Sequence, residues 1–146
     1  MLAIAMWKRR GKKTKVDFDL PTEAQWEYTC RAGTTTKFSY GDNADGAYMW
    51  RGEEIEGRTH AVGTKKSNPW GFYDMHGNVW EWCLDWHDEA LLYGEDPKAV
   101  SSGSNRIIRG GSWASPEYTF SSFHRGFGRP SRNAHNFGFR LCAPAQ

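Results

Sequence analysis

The residues best suited to chemistry lie between Asp74 and Glu81, in the stretch Asp-Met-His-Gly-Asn-Val-Trp-Glu. Two acids bracket a Gly-Asn turn, and a turn of this kind exposes backbone carbonyl groups. Carboxylates together with carbonyl oxygens are the ligands that calcium prefers. Two interpretations are open: the two acids bind a calcium ion, or they only brace the turn.

A second acidic cluster consists of Asp85, His87 and Asp88. It could bind a metal or exchange protons, although exposed polar residues at the end of a strand are the favoured interpretation. The common signatures of serine hydrolases, zinc proteases and phosphate-binding loops are missing from the sequence. The three cysteines show no zinc-type spacing, so buried thiols are favoured; one disulfide with one free cysteine remains the alternative.

Charge and hydropathy limit the classes of partner that the chain is expected to bind. The net charge is +2, yet six cations fall within positions 8–15. A nucleic-acid contact is one interpretation, but phosphate-binding domains spread their cations over a face, so a solvated segment is favoured and no nucleic-acid partner is expected. No apolar run is long enough to insert into a membrane, and no signal-peptide pattern is present. Localisation stays open.

The elements that must position these residues are few. Thr22 and Gln25 form a capping box that predicts a helix over Glu23–Ala32. Alternation of Trp80, Trp82, Leu84 and Trp86 predicts a strand over Val79–Trp86, with the tryptophans on its buried face. Further strands are expected at Arg106–Arg109 and Phe137–Leu141. The sequence therefore predicts a single α+β domain over residues 1–146, rich in loops and with few regular elements.

Four sequence blocks carry a resemblance to a known family. They are Leu20–Tyr28, Gly71–Trp82, Arg109–Trp113 and Gly138–Arg140. In this order and spacing they resemble the formylglycine-generating enzyme (sulfatase-modifying factor) family. The resemblance implies an irregular C-type-lectin-like fold, and a calcium ion held by Asp74, the carbonyls of Gly77 and Val79, and Glu81.

The resemblance does not carry over the family's oxygen chemistry. Enzymes of that family hold copper with two cysteines shortly after the Gly-Gly-Ser block. The matching positions here are Ser115 and Phe120. Since neither residue supplies a thiolate, no copper and no catalytic residue are expected.

A non-catalytic branch of this fold is more similar to the chain. In variable proteins of diversity-generating retroelements, a Gly-Gly-Ser-Trp block precedes a hypervariable stretch that ends in Gly-Phe-Arg. Mutation at template adenines there cannot reach Lys, Glu, Gln, Met or Trp from Asn-type codons. Of the 31 residues of these types in this chain, only Glu117 lies within residues 114–137.

The hypothesis that follows is a variable ligand-binding surface on residues 114–137, built from rigid aromatic and small compliant side chains. A chance deficit of long side chains is the alternative, and Tyr118 and Phe137 also suit a core. The expected partner is a protein or cell-surface ligand, with display on a virion or a cell. The predicted binding residues are Ala114, Ser115, Tyr118, Phe120, Phe123, His124, Gly126, Phe127, Gly128, Ala134 and His135.

Two other functions stay open at this point. The chain could be an enzyme of the wider family, with metal ligands drawn from His87, His124 and His135. It could also be an accessory domain whose partner supplies the N-terminal half that other family members have. The sequence does not set the oligomeric state.

Overall fold

The computed structural model describes residues 17–51, 57–87 and 102–143. Its helix, α1, spans Glu23–Arg31 and begins at the predicted capping box. The Thr22 Oγ1 accepts a hydrogen bond from the Gln25 N–H at 3.2 Å, and the Gln25 Oε1 accepts one from the Thr22 N–H at 3.0 Å. Ala32 adopts a left-handed conformation with φ 48° and ends the helix one residue earlier than predicted.

Four short strands form one sheet in the order β3-β2-β1-β4. They are β1 (Trp80–Trp86), β2 (Arg106–Arg109), β3 (Gly126–Gly128) and β4 (Phe137–Gly138). The pairs β1–β2 and β2–β3 are antiparallel, whereas β1–β4 is parallel. The predicted last strand shortens to two residues because only these pair with β1. This sheet with its helix confirms the predicted α+β class.

Strand β1 buries its polar face more completely than the face that carries its tryptophans. Glu81, Cys83 and Asp85 are buried. On the other face Trp80 is buried, Trp82 and Trp86 are half-buried, and Leu84 is exposed. Helix α1 lies on the polar face, where the Asp85 carboxylate accepts a hydrogen bond from the Glu23 N–H at 2.6 Å. The predicted facing is thus confirmed for Trp80 and wrong for Leu84, and the burial of the polar face was missed because acids that receive buried donors can enter a core.

Two apolar clusters form the core. One lies beneath α1 and contains Trp26, Cys30, Met75, Cys83 and Ile107; the other contains Phe38, Met49 and Phe120. His76 links them: its Nδ1 lies 2.7 Å from the Phe120 carbonyl oxygen, and its Nε2 accepts a hydrogen bond from the Ser39 N–H. Burial lowers the pKa of His76 to about 4, so the imidazole is neutral.

Some sequence features lie outside the described residues, among them the basic run at positions 8–15 and Asp88. Among the described residues, no helix has both the length and the apolar character needed to cross a membrane. The cysteines are free thiols, buried at Cys30 and Cys83 and half-buried at Cys142. The favoured interpretation of the cysteines is thus confirmed for Cys30 and Cys83.

Candidate functional site

The Glu81 carboxylate at the acidic turn is already occupied. Its two oxygens accept hydrogen bonds from Arg140 at 2.6 and 2.7 Å, and Oε2 also accepts the Trp26 indole N–H at 2.7 Å. The Glu81 side chain is almost fully buried. A bidentate guanidinium pair of this kind neutralises the carboxylate without a metal ion.

The remaining predicted calcium ligands surround the same turn. Asp74 accepts a hydrogen bond from the Gly63 N–H at 2.7 Å, and burial raises the pKa of its carboxyl group. Gly77 is required for close approach, since a Cβ there would lie 2.5 Å from the Trp50 carbonyl oxygen. Val79 is buried beside it.

These residues do not fit a calcium ion as they are placed. Calcium takes six to eight oxygen ligands, and the Arg140 guanidinium competes for Glu81. Among the described residues, no group of three or more His, Cys, Asp or Glu side chains converges on a point where a metal could sit. Hydrogen bonds thus favour the interpretation in which both acids brace the turn over the one in which they bind calcium.

The two positions that match the family's catalytic cysteines have other roles here. The Ser115 Oγ accepts a hydrogen bond from the Trp80 indole N–H at 3.0 Å and lies 2.8 Å from the Ser112 Oγ. Phe120 is 1% exposed and packs in the second core cluster. A hydroxyl group engaged in hydrogen bonds and a buried benzyl ring supply no soft ligand for copper.

Two arginines, Arg109 and Arg125, connect the segment 114–137 to helix α1. Arg109, fully buried on β2, pairs with the Glu27 carboxylate at 2.5 Å and donates to the carbonyls of Ser122 and His124. Arg125 forms a bidentate pair with Glu23 at 2.8 and 2.9 Å. The first turns of α1 therefore fix the backbone on both sides of Phe123.

Three predicted binding residues are packed against the core or the sheet. Phe120 is buried in the core, as described above. A Cβ on Gly126 would meet Ile108 at 2.8 Å and Trp80 at 3.0 Å, and a Cβ on Gly128 would meet Trp82 at 3.1 Å. The glycines of β3 thus leave room for the tryptophans of β1, and a side chain at either position would have to displace Trp80, Ile108 or Trp82.

Other predicted residues do reach the surface. Tyr118, Phe123 and Phe127 are 62%, 56% and 54% exposed, so a core role for Tyr118 is wrong. Ala114 and His135 are exposed as well, whereas Ser115, His124, Ala134 and Phe137 are half-buried.

Aromatic contacts hold several of these rings in place. His124 lies between Tyr118 and Trp80, with ring centroids 5.4 and 6.0 Å apart, and Phe127 lies 4.2 Å from His87. His87 is half-buried and contacts a ring of the segment, whereas Asp85 is buried and accepts a helix N–H. The expected exposure of this cluster is therefore wrong for Asp85, whose carboxylate receives a buried donor. The arrangement presents rigid aromatic side chains on a fixed backbone.

The sequence reasoning missed a cavity at the end of the segment. It holds about 160 Å³ between Trp82 and Phe137 on one side and Arg132 and Asn133 on the other. Its only predicted member is Ala134. The residues missed are Arg132 and Asn133, which no pattern in the sequence distinguishes from the other polar residues of the segment.

The chain is similar to a known protein family and to several of its members. Residues 2–145 match the model of the sulfatase-modifying factor enzyme 1-like domain. Formylglycine-generating enzyme from Streptomyces coelicolor is 32% identical over 145 residues, with 85% of this chain and 46% of that protein covered. The enzyme of the same name from Mus musculus is 33% identical, with 85% and 38% covered. The chain spans less than half the length of these relatives.

Solved structures agree with this placement. Treponema denticola variable protein 1 is 40% identical with a TM-score of 0.79, and the match covers 87% of this chain and 48% of that one. PvdO from Pseudomonas aeruginosa is 31% identical with a TM-score of 0.78, covering 91% of this chain and 55% of that one. The predicted fold is therefore confirmed.

Proposed function

Since the chain belongs to the sulfatase-modifying factor enzyme 1-like family, we propose that it is a non-catalytic member that binds a protein or cell-surface ligand through residues 114–137. The observation that carries the proposal is the exposure of Tyr118, Phe123 and Phe127 on a backbone that Arg109 and Arg125 hold from below. Rigid aromatic side chains of this kind supply contact area at a low cost in conformational entropy.

The separation of the segment into packed positions and exposed positions also supports the proposal. Phe120 and the glycines of β3 are fixed by packing, while Ala114, Tyr118, Phe123, Phe127 and His135 are exposed. A surface that is diversified for binding needs this division, because changes at exposed positions leave the core intact. The likeness to a protein named variable protein 1 is consistent with it.

The occupants of the two catalytic-cysteine positions support the absence of formylglycine chemistry. Ser115 and Phe120 offer no thiolate, and the cysteines that the chain has lie elsewhere. Burial raises the pKa of the Cys30 thiol to about 12 and that of Cys83 well above its ordinary value. Both thiols are therefore protonated at neutral pH and cannot substitute for reactive cysteines.

A display library tests whether the surface can serve as a variable binding site. One library randomises Ala114, Tyr118, Phe123, Phe127 and His135 with the codon NNC in the protein displayed on yeast. The matched library randomises Phe120, Gly126 and Gly128. Each library is scored for folded display and then selected against lysozyme as the test ligand.

We expect the exposed library to keep folded display and to yield lysozyme binders, and the buried library to lose display. The proposal fails if the exposed positions tolerate substitution no better than the buried ones, or if no binder emerges from a well-displayed library.

An enzyme of divergent chemistry is the second candidate, because the curated relatives include named enzymes. Metal analysis separates the two functions. A stoichiometric iron or copper ion in the purified protein, lost when His124 and His135 are both replaced by alanine, would favour the enzyme. We expect neither ion in stoichiometric amount, because no described His, Cys, Asp or Glu cluster is placed to hold one.

A further inference from the structure

The cavity near the end of the segment has an aromatic wall. The Trp82 and Phe137 rings lie 5.3 Å apart at 35°, and Phe139 adds to the lining. Gly128 packs against both rings, since a Cβ there would lie 3.1 Å from the Trp82 ring and 3.7 Å from the Phe137 ring. A cavity of about 150 Å³ is large enough for one benzene ring, and this one is of similar size.

The rim of the cavity is cationic. The Arg132 guanidinium lies 4.9 Å from the centre of the Phe137 ring, which holds it beside the opening. Asn133 lies next to it and is exposed. Two backbone turns support this rim: the Arg132 N–H donates to the Arg129 carbonyl at 2.8 Å, and the Phe137 N–H donates to the Ala134 carbonyl at 3.2 Å.

The charge around the rim is unbalanced. Glu117 is the sole acid between positions 102 and 143, and it is already paired with Arg51 at 2.5 Å. Among the described residues, Arg109, Arg125 and Arg140 have carboxylate partners, whereas Arg129 and Arg132 have none. An exposed arginine beside an aromatic wall is suited to pairing with an anion that a ligand brings.

We propose that this cavity binds an apolar group that carries a carboxylate, with the ring or alkyl part against Trp82 and Phe137 and the carboxylate on Arg132. A neutral apolar group would leave Arg132 unpaired, and a bare carboxylate would leave the aromatic wall in contact with water. The inference rests on the proposed function, because Arg132 and Phe137 belong to the same segment, and it specifies the chemistry of the ligand.

The test uses N-acetyl-phenylalanine as the probe and N-acetyl-phenylalanine amide as its neutral match. Each is titrated into the ¹⁵N-labelled protein while NMR follows the Trp82 indole N–H and the amides of Ala134 and Gly138. Two variants are compared with the native chain: Arg132→Gln, which removes the rim cation, and Arg129→Gln, which removes an exposed arginine in the same turn.

We expect the carboxylate to shift these resonances with a dissociation constant about two- to fivefold lower than that of the amide, the range that one exposed charge pair gives. Arg132→Gln should abolish the difference between the probes, and Arg129→Gln should preserve it. Equal binding of the two probes, shifts that lie elsewhere, or the same loss in both variants would overturn the proposal. A negative result with these probes would not change the outcome of the display-library experiment, so the two proposals can be rejected independently.

Discussion

At the scale of single residues, Arg109 decides how the segment is presented. It is fully buried, and its guanidinium satisfies Glu27 and the carbonyls on either side of Phe123. Removing one partner of a buried ion pair leaves an uncompensated charge, which is much costlier than losing a surface pair.

The change Arg109→Met is therefore expected to lower the free energy of unfolding by roughly 3–5 kcal/mol. Urea denaturation measures this, with the exposed Arg129→Met as the matched control at near-zero cost. Equal stability of the two variants would mean that Arg109 does not hold the segment.

His76 gives the protein an acid-sensitive core. Its pKa lies at about 4 in the folded state, against about 6.5 in an unfolded chain. The stabilisation from the neutral imidazole is complete above pH 6.5 and is lost as the pH falls toward 4. By linkage the loss amounts to roughly 3 kcal/mol.

Histidine NMR titration should assign a pKa near 4 to His76. Urea denaturation between pH 7 and pH 4 should show the loss of stability, which a His76→Gln variant would lack. Asp74 and Asp85, whose carboxyl pKa values are raised by burial, act in the opposite sense, so the comparison with the variant isolates the imidazole. A His76 that titrates near 6.5 would contradict the buried neutral ring.

The occupied carboxylate of Glu81 leads to a prediction about calcium. Since Arg140 holds both oxygens, we expect the melting temperature to be the same in excess calcium and in EDTA. A bound ion at 100 times its dissociation constant would add about 2.7 kcal/mol to the free energy of unfolding. A calcium-dependent increase of that size in the free energy of unfolding, absent in the variant Asp74→Asn, would contradict this expectation. It would support a calcium ion bound by Asp74, Gly77, Val79 and Glu81.

At the scale of elements, the sequence predicts α1 well because its signals are local. The Thr22–Gln25 capping box and the stop after Arg31 are carried by neighbours in the chain. The burial of Glu81 on β1 cannot be predicted from the neighbouring sequence. It depends on Trp26 and Arg140, which bring hydrogen-bond donors to Glu81 from distant parts of the chain. Alternation alone assigns only the tryptophan face to the core, and the donors bring Glu81 into the core as well.

Strand β3 was not predicted, because Gly-Phe-Gly carries no alternation and little strand propensity. It forms because its glycines fit over Trp80 and Trp82 while its backbone pairs with β2. The need for glycine at positions 126 and 128 becomes apparent only once the neighbouring strands are in place.

Gly126→Ala should therefore destabilise the protein by about 1–3 kcal/mol, since its methyl group would overlap Ile108 and Trp80. Thermal denaturation compares it with Phe127→Ala, which alters the exposed ring between the two glycines. If Phe127→Ala proves the more damaging change, the packing account of β3 is wrong.

At the scale of the whole molecule, the high aromatic content divides into two roles. Trp26, Trp80 and Phe120 are buried, whereas Tyr118, Phe123 and Phe127 face solvent. The four sequence blocks predicted the family and the fold, because they contain the helix cap, the acidic turn and β1. The sequence could not separate core from surface within residues 114–137, since Phe120 and Phe123 differ only in which neighbours the fold supplies.

The central claim is that the exposed positions of this segment vary for binding while its buried positions are fixed. Deep sequencing of the coding locus, together with a search for a near-identical downstream repeat, tests it most directly. We expect a repeat that differs only at adenines, with substitutions concentrated at the codons of Ala114, Tyr118, Phe123, Phe127 and His135. The codons of Phe120, Gly126 and Gly128 should stay constant. A locus without such a repeat, or with variation spread evenly over buried and exposed codons, would contradict the account.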